Sequence, residues 1–296
     1  MERKIIAPIN IEIENNLTIE WVKKYAKSTS SEIVLVNVVE KSSLLEKIFG
    51  KTGINDTVRT IMESEIEQKV GNLLSPEYTY TKLVKEGKPY EEIEKIVIQF
   101  NPIAVVIGKN EKQEKEYIGS NALHLISEVS NPIISIFGKQ TPQETQNNIL
   151  VPLDITKSYS EQLTAAFDLA KIFKAKLYIF SIDYQNDIAH KAELLVKMNK
   201  IKKFFETNNV DVEVEIIEET KAEITKIINQ KANKYKPLFT MIMLRDEKNQ
   251  KGHYIGTVAQ EILRTCHSPV MSIKPWEEKE ENSTIFEAFI NPLDIF

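Results

Sequence analysis

Tyr254-Ile255-Gly256-Thr257, then a run of helical pattern, then Ser268-Pro269-Val270-Met271-Ser272-Ile273: this order decides the fold, because the chain writes it twice. The earlier copy reads Tyr117-Ile118-Gly119-Ser120, a helical run, and Asn131-Pro132-Ile133-Ile134-Ser135-Ile136. The interval from Gly119 to Gly256 equals that from Pro132 to Pro269, 137 residues, so register holds across the unit. Nearer the start of each half, Ile5-Ile6-Ala7-Pro8-Ile9-Asn10 matches Ile149-Leu150-Val151-Pro152-Leu153-Asp154 at an interval of 144. A repeat of this length means two homologous domains, not a solenoid of short units.

Working outward from these landmarks, strand and helix patterns alternate. In the second half, residues 148–153 form an apolar run of strand length. A helix then opens at Ser158-Tyr159-Ser160-Glu161, with Ser158 as cap and Glu161 at the capping-box position, and Leu163, Ala166, Phe167 and Ala170 at helical spacing. Strands follow at 176–182, 210–217, 238–244 and from Pro269, with helices over 187–207, 221–235 and 256–265. The first half places strands near 4–9, 32–39, 78–85, 103–107 and 132–137, and helices near 17–28, 55–74, 89–100 and 119–129. Near-continuous apolar strands between amphipathic helices predict an α/β fold, two tandem doubly wound five-stranded and mostly parallel sheets. The expected domains are 1–139 and 146–275, joined by a polar, glutamine-rich boundary, with a C-terminal tail over 276–296.

Composition narrows the function classes. Only nine of 296 residues are glycine, against roughly twenty for an average chain, so few are available for phosphate-cradling loops. With 38 basic and 43 acidic residues, there is no electrostatic case for nucleic acid. No apolar run approaches the ~20 residues of a membrane span. A single cysteine, Cys266, excludes an internal disulfide framework and suits a reducing compartment, and residues 1–8 read as strand rather than secretory signal. A cytoplasmic protein is expected. The four histidines, His124, His190, His253 and His267, show no metal-ligand spacing. His124 reads as a packing residue and Cys266 as a buried structural thiol. No Ser-His-Asp order, paired carboxylates or P-loop lysine motif is visible, so no catalytic residue or metal is assigned.

Ligands of a doubly wound sheet sit outside the carboxyl ends of the strands, at the topological switch point. That rule gathers Asn10 and Asp154, the loops after Val38 and Ile182, and segments 108–120 and 245–257 around one crevice per domain. Gly119-Ser120 and Gly256-Thr257 begin helices there. They read either as helix caps or as donors to a phosphate.

With its Val-Pro-x-Asp strand end, Asn37-Val38-Val39, Glu86-Gly87-Lys88-Pro89, the Ala-Val-Val-Ile-Gly end of strand four and Gly-Ser/Thr helices before a Pro-led fifth strand, the chain resembles the universal stress protein family in its tandem form. The resemblance implies the adenine-nucleotide alpha hydrolase-like fold, packed as a pseudo-dimer through the fifth strands, 132–137 and 269–273. It also implies binding of ATP or another adenine nucleotide. The strand-one Asp and a strand-two Val would position the nucleoside, and glycines with a hydroxyl would hold phosphate. Carried over, these roles fall on Asp154, Ile182, Gly256 and Thr257, and on Asn10, Val38, Gly108, Gly119 and Ser120. The family's three-glycine pattern is incomplete in both copies. Glu111 stands nearest the missing glycine of the first, and Arg245 and Lys248 replace two glycines of the second. Arg245, Lys248 and Lys251 could supply charge to phosphate by side chain instead, which points to the second domain as the main site.

The implied role is stress-associated signalling through ligand occupancy or assembly, as a homodimer or an intramolecular pseudo-dimer, without a membrane. The alternatives are a non-nucleotide scaffold and, behind it, a slow ATP hydrolase. The tail adds Glu277, Glu278, Glu280, Glu281, Glu287 and Asp294, and ends in the apolar Ile285-Phe286-Glu287-Ala288-Phe289-Ile290 and Leu293-Asp294-Ile295-Phe296. It reads as packing on its own chain or dimer, or as docking to a protein partner.

Overall fold

The computed structural model describes residues 3–12, 15–40, 56–74, 76–108, 118–155, 159–184, 187–244 and 255–274. Glu111, Ser158, Arg245, Lys248, Lys251, Gly252, His253 and the tail beyond Lys274 therefore lie outside the described residues.

The chain divides into two compact units, the first Met1–Phe137 and the second starting at Gly138. In the first unit the strands are β1 (Lys4–Pro8), β2 (Glu32–Val39), β3 (Tyr80–Glu86), β4 (Ala104–Gly108) and β5 (Ile133–Ile136). Between them run α1 (Asn16–Thr29), α2 (Asp56–Ile66, continued through a π turn to Leu74), α3 (Pro89–Phe100) and α4 (Ser120–Glu128). The strands align in the order β3-β2-β1-β4-β5, all parallel.

The second unit repeats the plan. Its strands are β6 (Asn148–Pro152), β7 (Lys176–Asp183), β8 (Val212–Glu218), β9 (Phe239–Met243) and β10 (Val270–Ile273), in the order β10-β9-β6-β7-β8 and again parallel. Its helices are α5 (Ser160–Phe173), α6 (Ile188–Thr207), α7 (Ile224–Tyr235, entered through a 3-10 turn at Lys221–Glu223) and α8 (Thr257–Thr265). Central strands β1, β4, β6 and β9 are buried along almost their whole length, because a parallel sheet carries helices on both faces.

Helix α5 starts at Ser160, preceded by Tyr159, and its expected cap Ser158 lies outside the described residues; a capping box is present at Thr141 and Glu144. His124 packs against the Tyr90 ring, 4.0 Å between centroids, at an exposed position of α4. Cys266 is buried as expected; burial pushes its thiol up, opposed by hydrogen bonds with Ser268 and Thr240.

The polar segment between the repeats is tied onto the second unit. Gln140 Nε2 donates to the Pro237 carbonyl at 2.8 Å, and the Gln146 N–H donates to the Lys236 carbonyl at 2.9 Å. At Gly138 a Cβ would stand 2.0 Å from the His267 carbonyl oxygen, so only glycine passes.

Glycine scarcity shows at the helix ends. Ser30, Asn101, Lys174 and Lys236 terminate α1, α3, α5 and α7 in the left-handed region, where glycine is the usual residue. We expect Lys174→Gly to raise stability by about 0.5–1 kcal/mol, measured by urea unfolding. Gly138→Ala should lower it by about 1–3 kcal/mol, because backbone has to move.

Candidate functional site

The repeated strand-end prolines open the crevice. In β6 the carbonyl of Pro152 faces β9, and its nitrogen has no hydrogen to donate there. Pairing of β6 with β9 is limited to Ile149 with Phe239 and Leu150 with Thr240, whereas β6 stays paired with β7 through Pro152. Beyond Pro152 the Leu153 N–H turns to the other side and bonds the Phe180 carbonyl at 2.8 Å. Into the gap between β6 and β9 reaches Gln162 of α5, nearly fully buried. Its Nε2 donates to the carbonyls of Pro152 (3.0 Å) and Met241 (3.2 Å). A side-chain amide thus supplies donors where the ladder has stopped.

Above this brace lies a cavity of about 340 Å³, at the low end of the ~300–1,000 Å³ of small-molecule sites. Asp154 stands at its β6 edge, Ile182 and Tyr184 at the end of β7, Met243 at the end of β9, and Gly256 and Thr257 at the start of α8. Phe180, Ile224, Ile228, Ile242, Val258 and Ile262 complete an apolar wall, and Lys221 sits at the mouth of α7. Four expected residues, Asp154, Ile182, Gly256 and Thr257, are therefore brought together. Arg245, the fifth expected in this domain, lies outside the described residues.

Gly256 is the N-cap of α8, and Thr257 is its first helical residue. The Thr257 hydroxyl makes no hydrogen bond among the described residues and is exposed. The first-turn N–H groups of α8 have no acceptor within the helix, and residues 257–259 line the cavity. Asp154 is exposed at the rim, and Lys221 is exposed without an ion pair among the described residues. The site thus offers an apolar floor, a carboxylate for hydroxyl or amino donors, and positive potential at α8 and Lys221. Just beyond, on the other face of β7, buried Asp183 lies 3.8 Å from His190 Nε2. No cluster of three metal-ligating side chains occurs among the described residues.

The first unit keeps the plan and changes the chemistry. Asn10 is exposed, but its Oδ1 accepts the Glu12 N–H at 2.9 Å and its carbonyl accepts Asn15 Nδ2 at 2.8 Å. Asn37 Nδ2 donates to the Ile9 carbonyl, and Lys69 to that of Ile11, so the loop after β1 is braced. The interval that relates Pro8 to Pro152 maps Gln162 onto Thr18. A Cβ at Gly108 would meet Thr18 Oγ1 at 2.1 Å, so Gly108 has a helix–strand packing reason. Gly119 has none among the described residues: its φ of −59° suits any residue, and none of their atoms lies within 4 Å of a Cβ there. Val38 is half-buried at the end of β2, and Ser120 is exposed on the first turn of α4.

Sequence reading missed Gln162, Lys221 and the Ile224–Ile228 pair. The isoleucine spacing marked a helix face without saying what it faced, and nothing in the linear order announced that Gln162 bridges two strands.

No family model matches the sequence, and a comparison with curated proteins finds no match. Likeness appears in three dimensions. A universal stress protein from Archaeoglobus fulgidus DSM 4304 superimposes with a TM-score of 0.68 at 17% identity, over 92% of this chain and 98% of that one. A protein of unknown function from Pseudomonas aeruginosa PAO1 gives 0.63 at 17% identity, over 93% of each chain. No helix among the described residues is long and apolar enough to cross a membrane.

Gln162→Leu should cost about 1–3 kcal/mol, because two buried carbonyls lose their donor. Urea unfolding measures it; an unchanged midpoint would show that water takes over both carbonyls.

Proposed function

We propose that this chain, which carries the universal stress protein fold in tandem, is a stress-response protein whose second unit binds an adenine nucleotide. The observation that carries the reading is the convergence of Asp154, Ile182, Gly256 and Thr257 on one cavity at the carboxyl edge of the sheet. Asp154 accepts hydrogen bonds from ribose hydroxyls. Ile182 with Ile224 and Ile228 clamps the base, and the start of α8 with the Thr257 hydroxyl meets phosphate. Among the described lining residues Asp154 is the one acid and Lys221 the one base, which favours binding and signalling over turnover. Occupancy would act through conformation or assembly, in a soluble, cytoplasmic protein.

For the first unit a specific observation favours the scaffold reading. The Asn10 amide oxygen is committed to its own loop, and Gly108 is explained by packing against Thr18.

Thermal unfolding with ATP, ADP and AMP tests the proposal. At a hundred-fold excess over Kd the ligand adds about 2.7 kcal/mol, a rise of several degrees for a unit of this size. The rise should vanish in Asp154→Ala with Thr257→Ala and persist in Asn10→Ala. No shift with any of the three at millimolar concentration overturns the nucleotide reading. Phosphate release lost in the double variant would replace it with hydrolysis.

A further inference from the structure

Helix α6 is apolar on two sides. Its inner face buries Leu194, Met198, Ile201, Phe204 and Phe205. On the outer side Ile188 is 88% exposed, Val196 57% and Leu195 47%. At about 100° per residue these three fall with Ala192 on one stripe, roughly opposite the core positions. A helix on the surface of a globular domain normally turns a polar face there. Tyr184, at the rim of the cavity, is a further exposed apolar side chain before the helix. Past the stripe, Lys200, Lys202 and Lys203 are exposed, and the helix holds five lysines against two glutamates, although Lys191, Lys197 and Lys202 already face Glu218, Glu193 and Glu206.

We propose that this outer face of α6 is the docking site of the chain's own C-terminal segment, residues 275–296. Chemistry selects that occupant. The segment joins an acidic run, Glu277-Glu278-Lys279-Glu280-Glu281, to an apolar one that holds Ile285, Phe286, Phe289, Ile290, Leu293, Ile295 and Phe296, with Glu287 and Asp294 between them. Apolar side chains meet the stripe, the acidic run spans the approach to it, and the carboxylates within the apolar run, Glu287 and Asp294, fall toward the lysines. Geometry agrees. All strands of the unit are parallel, so the chain leaves β10 at the same edge where β7 hands over to α6. Three strand spacings of ~4.8 Å separate β10 from β7, and the helix layer stands roughly 10 Å off the sheet. Residues 275–284, extended, reach roughly 30 Å, enough to deliver the apolar run to Ile188. A second copy using the same face would set two lysine-rich helices against each other, which like charges oppose.

Limited chymotrypsin digestion of the full chain, followed by mass spectrometry, reads the docking through cleavage after Phe286 and Phe289. Leu195→Glu with Val196→Glu changes exposed positions only, and should speed that cleavage at least ten-fold. A converse pair keeps α6 apolar: Val196→Cys should react slowly with a thiol reagent in the full chain, and at least ten-fold faster once Phe286→Asp and Phe289→Asp are added. Buried Cys266 sets the background. Equal rates in either pair overturn the proposal. So does protection that grows with protein concentration, which would assign the face to a second copy.

Discussion

The parting of β6 from β9 is the constraint on which the site depends. Two paired residues, then a proline with no N–H to offer, and the ladder ends. A parallel sheet cannot leave the facing carbonyls of Pro152 and Met241 bare in its interior without a cost of about 1–3 kcal/mol. The Gln162 amide satisfies both, and so holds the strands apart as well as together. The cavity exists because the chain turns outward at this reversal of strand order and helix α8 begins across the gap.

The same device appears in the first unit with different outcomes. There β1 and β4 also share only two paired positions, and Pro8 stands where Pro152 does. The shorter Thr18 occupies the place of Gln162, and Gly108 lets it approach. Asn10 turns its side chain into its own loop instead of offering a carboxylate. The halves thus differ in side chains at the strand ends, while strand order and direction are unchanged. The glycine economy belongs to the same picture. Four helices end in left-handed backbone without glycine, and glycine is kept where backbone meets backbone, as at Gly138 beside His267.

Much of this was legible in the chain. The 137-residue interval, the Pro-led strands and the alternation of apolar runs with helical spacing set out ten strands and their order along the chain. The switch-point rule then placed Asp154, Ile182, Gly256 and Thr257 together. What His124 packs against was not legible, because helical periodicity reports neighbours along a helix, and its partner, the Tyr90 ring, is distant in sequence. Gln162 could not be recognised, since its role is defined by two carbonyls on separate strands.

Fold class and the shared edge for ligands thus follow from local periodicity and repeated landmarks, which sequence alone carries. Which residues line the cavity of the second unit, which glycine answers to packing, and which amide braces the parted strands depended on long-range approach. Those distances are settled only when both faces of each sheet are covered, because packing joins residues that the chain keeps far apart.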